Sequence, residues 1–126
     1  MKDAKIRKEE VDYINFHGTS TLINDKVETM AVKNTFNGNA LNIPSSSTKS
    51  MVGHPQGASG ALGVMVSALS LKNGFLTPTI NMENPDPECD MDYIPNVGRE
   101  KRIGIAISNC ISFGSKNSAL VLKKFE

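Results

Sequence analysis

Two histidines stand out among the residues that could do chemistry, because each lies beside a glycine in a polar segment. His17 opens the run His17-Gly18-Thr19-Ser20-Thr21, and His54 follows Gly53 in a segment that also carries Lys49. Ring nitrogens, an ammonium and hydroxyls of this kind can hydrogen-bond a ligand or exchange a proton with it. A histidine in such a loop can equally be structural, with its nitrogens bonded inside the protein, and composition alone leaves both interpretations open.

The elements that must position these residues begin with a strand and a helix. β-Branched and aromatic residues predict a strand at 11–16, which ends at His17. Asn24 or Asp25 can cap the following helix, and Gly38 lies where its C-cap is expected. In open α/β sheets the loops at strand ends form the binding crevice, and His17 is predicted to lie in such a loop.

The rest of the chain is predicted to contain one buried helix and several short extended segments. The segment 57–73 is small, apolar and free of proline, and Gly74 is its expected C-cap. The other predicted segments are a short strand at 41–47, a loop at 49–54, an extended stretch at 75–81, a long proline-rich connection at 82–97, and strands at 103–108 and 118–125. This order indicates an α/β fold in which helices cover a mixed sheet.

The composition excludes several classes of protein. With 126 residues, 39% of them apolar, the chain can form one domain or part of a larger one. It has no run of about 18 apolar residues that could span a membrane, and its beginning lacks the apolar core of a signal peptide. A net charge of +1 gives no reason to bind nucleic acid. Two cysteines form neither a disulfide framework nor a four-ligand zinc site, so a reducing cytoplasm is the expected setting.

Several familiar motifs are absent. The run Ser47-Thr48-Lys49-Ser50 has no glycine directly before its lysine, which a phosphate-binding P-loop requires. Gly57, Gly60 and Gly63 are spaced evenly by three, so they do not form a dinucleotide fingerprint; on a helix they would mark a face that another backbone can approach closely. The chain has no Gly-x-Ser-x-Gly elbow of a serine hydrolase, and neither histidine has the spacing of a metal cage.

The order of the remaining motifs is the most informative feature. The chain carries His-Gly-Thr-Ser-Thr at 17–21, Asn-Asp at 24–25, Glu28, and Ser-Ser-Thr-Lys-Ser-Met-Val-Gly-His at 46–54. The later matching segments are Pro-Thr-Ile-Asn at 78–81, Cys89-Asp90, Asp92-Tyr93, Pro95-Asn96, Ser108-Asn109 and Phe113-Gly114. From about Val11 onward, this set closely resembles the C-terminal part of β-ketoacyl-acyl carrier protein synthases. It is most similar to the synthase II type of bacterial fatty-acid synthesis, and the ketosynthase domains of polyketide synthases are near relatives.

The resemblance implies a thiolase-like α/β fold built from two similar halves, with this chain as part of the C-terminal half. Residues 1–126 would be a partial C-terminal ketoacyl synthase domain. The implied parent enzyme condenses an acyl thioester with malonyl-acyl carrier protein by decarboxylative Claisen condensation. Its cysteine nucleophile lies in the N-terminal half, which this chain lacks, so the chain alone is expected to be inactive. Acyl carrier protein and a second copy of the parent are the implied partners, and the substrate-borne phosphopantetheine replaces any separate cofactor.

The resemblance also implies roles for individual residues. His17 and His54 would donate hydrogen bonds to the malonyl thioester carbonyl, which becomes an enolate oxygen when carbon dioxide leaves. Lys49 would tune the field at both histidines, with Glu28 as a candidate ion-pair partner. The two imidazole rings must then converge, each with one nitrogen free and the other held by a backbone or hydroxyl group.

Three further residues would contact substrate. Thr19 and Thr21 match positions whose hydroxyls meet the pantetheine arm, and Phe113 matches a phenylalanine whose backbone N–H completes an oxyanion hole.

The alternative to part of a working synthase is a non-catalytic ketosynthase-like remnant that binds a ketosynthase partner or acyl carrier protein. In either case the glycine-rich helix is expected to expose apolar surface, so that the chain self-associates and buries more than about 1,000 Å².

Overall fold

The structure is a computed structural model that describes residues 1–125. Within that range the strands are β1 (Tyr13–Asn15), β2 (Ser45–Ser46), β3 (Phe75–Leu76), β4 (Arg99–Glu100), β5 (Ile105–Cys110) and β6 (Ser118–Lys123). The α-helices are α1 (Asn24–Phe36), α2 (Lys49–Val52) and α3 (Ser59–Asn73). Short 3₁₀ turns occur at Lys8–Glu10, Asn37–Asn42, Gln56–Ala58 and Phe113–Ser115.

Four of the strands form a mixed sheet in the order β2-β1-β5-β6. β1 runs parallel to both β2 and β5, and β5 runs antiparallel to β6. The other two strands, β3 and β4, form a small antiparallel pair. The predicted α/β fold with a mixed sheet is therefore confirmed. Because parallel strands end at the same edge, the residues that follow β1, β2 and β5 come together there.

Helices cover the sheet on both faces, and side-chain alternation along the strands separates the two cores. Ile14 on β1 packs in a cluster with Val32 and Phe36 of α1. Its neighbour Tyr13 points to the opposite face and packs in a cluster with Leu71 of α3. This period of two is what a strand buried on both faces requires. The sheet thus lies between α1 and α3, as the alternating pattern predicts.

The face of α3 that meets the sheet is made of small residues. Gly63 is buried, and a Cβ atom at this position would lie 2.5 Å from Ser108 Oγ and 3.0 Å from Asn15 Oδ1. The sheet therefore approaches α3 closely at Gly63, as expected, although the neighbouring atoms belong to side chains and not to another backbone. The expectation is wrong for Gly57, which lies in the preceding 3₁₀ turn with nothing within 4 Å.

The opposite face of α3 is apolar and exposed. The side chains of Met65 and Leu69 are 58% and 54% exposed, whereas Ser67 and Ser70 face the interior. The helix expected at 57–73 is thus buried only on its sheet-facing side, and the exposed apolar surface expected of it is present on the other side. No helix in the described range is long and apolar enough to cross a membrane.

Two local predictions are also wrong. The segment 49–54 contains the helical turn α2 instead of a loop, and it stops at Gly53, whose φ is +74°. A strand was expected at 41–47, but only Ser45–Ser46 pairs with β1, because the preceding turn at Asn37–Asn42 is 3₁₀. In addition, the C-cap of α1 is Asn37, with φ +52°, one residue before the expected Gly38. With a ψ of −139°, Asn37 lies outside the left-handed helical region, in a conformation that glycine adopts most easily.

Candidate active site

The imidazole rings of His17 and His54 lie side by side, although 37 positions separate them in the sequence. Their ring centroids are 5.4 Å apart and the ring planes are nearly perpendicular, at 84°. His17 follows the end of β1, and His54 follows Gly53 in the connection between α2 and α3. The convergence expected of the two rings is thus confirmed as geometry.

Hydrogen bonds define the tautomer of His54. The backbone N–H of Gln56 donates to His54 Nδ1 at 3.1 Å, and Ser59 Oγ lies 2.9 Å from the same nitrogen. Since a backbone N–H can only donate, Nδ1 must be the unprotonated nitrogen of the neutral ring. Nε2 therefore carries the proton and is available as a donor, as expected for one of the two rings.

His17 is held differently. The residue is 6% exposed, and its Nδ1 is buried without a hydrogen-bond partner among residues 1–125. The expectation that a backbone or hydroxyl group holds this nitrogen is therefore wrong for His17. Burial, then the positive charge of Lys49, then the proximity of His54 together lower the pKa of His17 from 6.5 to about 4. The ring is thus neutral at pH 7, so it can offer a hydrogen bond without carrying a charge.

Glu28 holds the loop that carries His17. Its carboxylate is 1% exposed and accepts the backbone N–H groups of His17 at 2.8 Å and Gly18 at 2.9 Å. The side-chain amides of Asn109 and Asn24 donate to the same carboxylate at 3.0 and 3.4 Å. Burial raises the pKa of Glu28, and these donors oppose that shift. The carboxylate thus ties the ends of β1 and β5 to α1.

Lys49 is half-buried near His17 and makes no ion pair within 4 Å among the described residues. The expected contact with Glu28 is therefore wrong, since that carboxylate is already occupied by N–H donors. Burial lowers the pKa of Lys49, and the more distant charge of Glu28 partly offsets this. Lys49 consequently acts on its surroundings as a through-space positive charge.

A cavity of about 520 Å³ lies next to this cluster. Thr19, Thr21 and Lys49 line it, whereas His17 and His54 are not among its lining residues. The hydroxyls of Thr19 and Thr21 lie 3.3 Å apart, and Thr21 Oγ1 also accepts the N–H of Asn24 at the start of α1. The predicted threonines thus line the same cavity as Lys49, and Thr21 in addition supports the beginning of a helix.

The turn before Thr19 depends on glycine. Gly18 has φ +43°, and a Cβ atom there would lie 2.5 Å from the Cβ of Ser47. Ser47 Oγ donates to the carbonyl of Gly18 at 2.7 Å, which ties the His17 loop to the end of β2. A side chain at position 18 would break this contact and displace the neighbouring histidine.

Phe113 is the one predicted site residue that does not converge on the others. Its side chain is fully exposed, on a 3₁₀ turn between β5 and β6. Gly114 and Ser115 in this turn both have positive φ, at +73° and +62°. The turn therefore has the unusual backbone that glycine favours, with a serine at its second left-handed position.

Sequence reasoning missed two supporting residues. Asn109 reaches Glu28 from 81 positions away, and no local pattern could indicate that contact. Ser59 bonds His54 from five positions further along the chain, where its place at the start of a helix was a usable signal. Among residues 1–125, no group of three or more His, Cys, Asp or Glu side chains is arranged to hold a metal ion.

Comparisons with known proteins extend over most of the chain. Residues 1–83 match the family model described as "Beta-ketoacyl synthase, C-terminal domain". The chain is 48% identical over 124 residues to the 3-oxoacyl-(acyl-carrier-protein) synthase 2 of Coxiella burnetii, which covers 98% of this chain and 30% of that protein. It is also 48% identical over 126 residues to the synthase 2 of Staphylococcus aureus strain COL, which covers 100% of this chain and 30% of the relative.

Solved structures are also similar over nearly the whole chain. A ketosynthase in complex with its type II PKS acyl-carrier protein, bound to the hexaketide, superposes with a TM-score of 0.97 at 38% identity. The match covers 99% of this chain and 31% of that one. The chain therefore spans about 30% of the length of the curated relatives it matches.

Proposed function

The chain belongs to the β-ketoacyl synthase family, as a C-terminal portion, and we propose that it supplies the decarboxylation half of a 3-oxoacyl-acyl carrier protein synthase. In this proposal residues 1–126 form part of the C-terminal ketoacyl synthase domain. The parent enzyme condenses an acyl thioester with malonyl-acyl carrier protein in fatty-acid elongation. The single observation that carries the proposal is the convergence of two imidazole rings, 5.4 Å apart, at the carboxyl edge of the sheet.

The chemistry follows from where negative charge develops. When the bond between the malonyl α-carbon and its carboxylate breaks, carbon dioxide leaves and the electron pair moves into the thioester carbonyl, which becomes an enolate. A neutral Nε2–H from His54 and one from His17 would both donate to that oxygen. Removing one such preorganised donor typically lowers a rate by about 10²- to 10³-fold. The enolate carbon then attacks the acyl thioester on the parent's cysteine, and the cysteine thiolate leaves.

Other residues have supporting roles in this proposal. Burial is the main reason that His17 stays neutral, and the positive charge of Lys49 adds to it by opposing protonation of the neighbouring ring. Thr19 and Thr21 offer hydroxyls to an amide-bearing arm in the adjoining cavity, and Phe113 offers its backbone N–H once the rest of the parent covers it. The phosphopantetheine of acyl carrier protein is the only prosthetic group that the chemistry needs.

The partners and the location are part of the same proposal. Acyl carrier protein is supported by the similar ketosynthase that was solved with its own carrier protein, and the parent is proposed to be a homodimer. A cytoplasmic location agrees with two cysteines that are both free thiols.

A non-catalytic ketosynthase-like remnant is the second candidate. Ser115 adopts a left-handed φ of +62° in the turn of Phe113, and a serine there carries a backbone cost that glycine avoids. Such a chain would still pack on a ketosynthase partner or bind acyl carrier protein.

A chimera separates the two candidates. Residues 1–126 replace the matching 30% of the Staphylococcus aureus synthase 2, and condensation is measured as 3-oxoacyl product formed from acyl and malonyl carrier proteins. The catalytic proposal predicts condensation well above that of a chimera that also carries His54→Ala. A folded chimera that binds acyl carrier protein without condensing would support the remnant.

A further inference from the structure

The segment 82–90, named the strap here, forms one wall of the cavity beside Lys49. The strap residues that line the cavity are Met82, Asn84, Pro85, Asp86 and Cys89. The loop with Thr19 and Thr21 lines the cavity as well. Access to the proposed substrate arm site therefore depends on where the strap lies.

The strap is acidic, stiff and mostly exposed. It contains four carboxylates and two prolines but no basic residue, and each proline fixes one backbone angle. Residues 83–88 are all exposed, so apolar burial contributes little to holding this stretch in place. The hydrogen bonds between Met82 and Asn96 secure its beginning, and the buried Met91 follows its end.

Between these two anchors, lysines of α1 hold the strap. Lys26 pairs with Asp86 at 3.4 Å and with Glu88. Lys33 donates to both carboxylate oxygens of Asp90, at 2.8 and 2.7 Å. The lysines are seven positions apart on α1, which is about two helical turns, so both project from one face.

These ion pairs are partly exposed: the lysine side chains are 39% and 41% exposed. Exposed ion pairs are individually weak and are screened by salt. A strap held by three such contacts and by little apolar surface is poised to open as a unit between its fixed ends.

We propose that the strap is a movable wall of the cavity, held closed by an ionic clasp between Lys26 and Lys33 on α1 and the carboxylates of Asp86, Glu88 and Asp90. Opening widens the entrance to the space lined by Thr19, Thr21 and Lys49. The consequence for substrate entry rests on the proposed function, whereas the opening itself does not.

Cys89 reports the opening directly. Its thiol is half-buried on the strap and lies beside Thr29 of α1, so a reagent reaches it fully only when the strap moves away. Cys110 on β5 is the internal control in the same chain, because it lies outside the strap. Iodoacetamide is a suitable probe since it is small and uncharged, and its approach is insensitive to the charge changes below.

The decisive variants reverse and then restore the Lys33–Asp90 pair. Lys33→Glu replaces an attraction with a repulsion, and should raise the labelling rate of Cys89 by about fivefold or more without changing that of Cys110. The swap of Lys33→Glu with Asp90→Lys restores an ion pair and should return the rate towards the wild-type value. Lys72→Glu makes the same change of net charge on α3 and should leave Cys89 unaffected.

Salt gives a second test, with Lys33→Glu as the comparison. Raising NaCl from about 0.05 to about 1 M shortens the Debye length to roughly 3 Å, so it should accelerate Cys89 labelling in the wild type and much less in Lys33→Glu. Unchanged Cys89 labelling in both experiments overturns the clasp. A parallel rise at Cys110 would indicate global loosening and would overturn it too. Neither readout depends on condensation, so failure of the proposed activity leaves this test intact.

Discussion

Replacing Glu28 with glutamine tests how the His17 loop is held. The carboxylate of Glu28 accepts four N–H donors, two on each oxygen. A glutamine amide keeps one acceptor oxygen and turns an N–H₂ group towards the other two donors. In the better orientation, the retained oxygen serves His17 and Asn109. The N–H₂ group then faces the backbone N–H of Gly18 and the amide of Asn24, which can still bond Asp25 at 3.0 Å.

The expected loss of stability comes mainly from one buried backbone donor, the N–H of Gly18. Leaving the N–H of Gly18 without an acceptor costs about 1–3 kcal/mol, and the two retained bonds lose their charge assistance. Relief of a buried charge offsets part of this loss. We expect Glu28→Gln to lower the free energy of unfolding by about 2 kcal/mol, and a urea slope of about 1.5 kcal/mol/M turns this into a midpoint lower by more than about 1 M.

Glu10 provides the matched control. Its carboxylate accepts the backbone N–H of Arg7 at the same 2.8 Å, but in an exposed position where water can replace it. Urea unfolding at pH 7, followed by circular dichroism, should therefore show an unchanged midpoint for Glu10→Gln. A Glu28→Gln midpoint equal to that of the wild type would refute the reasoning, because it would mean that the buried carboxylate does not hold the loop.

Three other predictions follow from the packing and the charges. The pKa of His17 is about 4 in the folded chain, against 6.5 for an unperturbed histidine. Between these two pH values the unfolded chain therefore binds one proton more than the folded chain. Stability should thus fall as the pH drops from about 6.5 to 4, and less so in His17→Gln, as measured by urea midpoints across that range. Gly63→Ala should destabilise the chain by about 1–3 kcal/mol, because its Cβ meets Ser108 Oγ at 2.5 Å. Gly60→Ala meets only Cys110 Sγ at 3.7 Å and should be neutral or stabilising by up to about 1 kcal/mol; equal effects of the two variants on thermal unfolding would contradict this packing. The chain exposes 7877 Å², against about 6,600 Å² expected for a compact monomer of 13.6 kDa. Light scattering should therefore detect self-association that Met65→Lys with Leu69→Lys weakens, and a wild-type monomer at high concentration would contradict it.

Local pattern predicted the sheet and its helices because their periodicity is strong. Ile105 and Ile107 alternate with small residues, and both lie in the core cluster that faces α1. The long apolar run before Gly74 forms α3, and Gly74 adopts the left-handed conformation expected of a C-cap. The motifs also identified both histidines as site residues. His17 follows a predicted strand and His54 precedes a predicted helix, so their places in the fold could be predicted too.

The missed features depend on contacts that sequence spacing does not encode. One helical turn after Thr48 is too short to show periodicity, so the sequence predicts a loop where the structure has α2. Glu28 was expected to pair with Lys49, but backbone donors from a loop 10 and 11 positions away occupy its oxygens. Phe113 is assigned to the site by its motif alone, and in the described range its side chain is fully exposed.

In the proposed function, His17 and His54 act together on a developing enolate oxygen. The most direct measurement uses the chimera with the Staphylococcus aureus synthase 2 and follows carbon dioxide release from malonyl-acyl carrier protein and acylation of the cysteine separately. We expect His17→Ala and His54→Ala each to lower decarboxylation by about 10²- to 10³-fold while acylation stays measurable. A folded chimera in which either variant decarboxylates at the parent rate, or loses acylation while decarboxylation is intact, would contradict it.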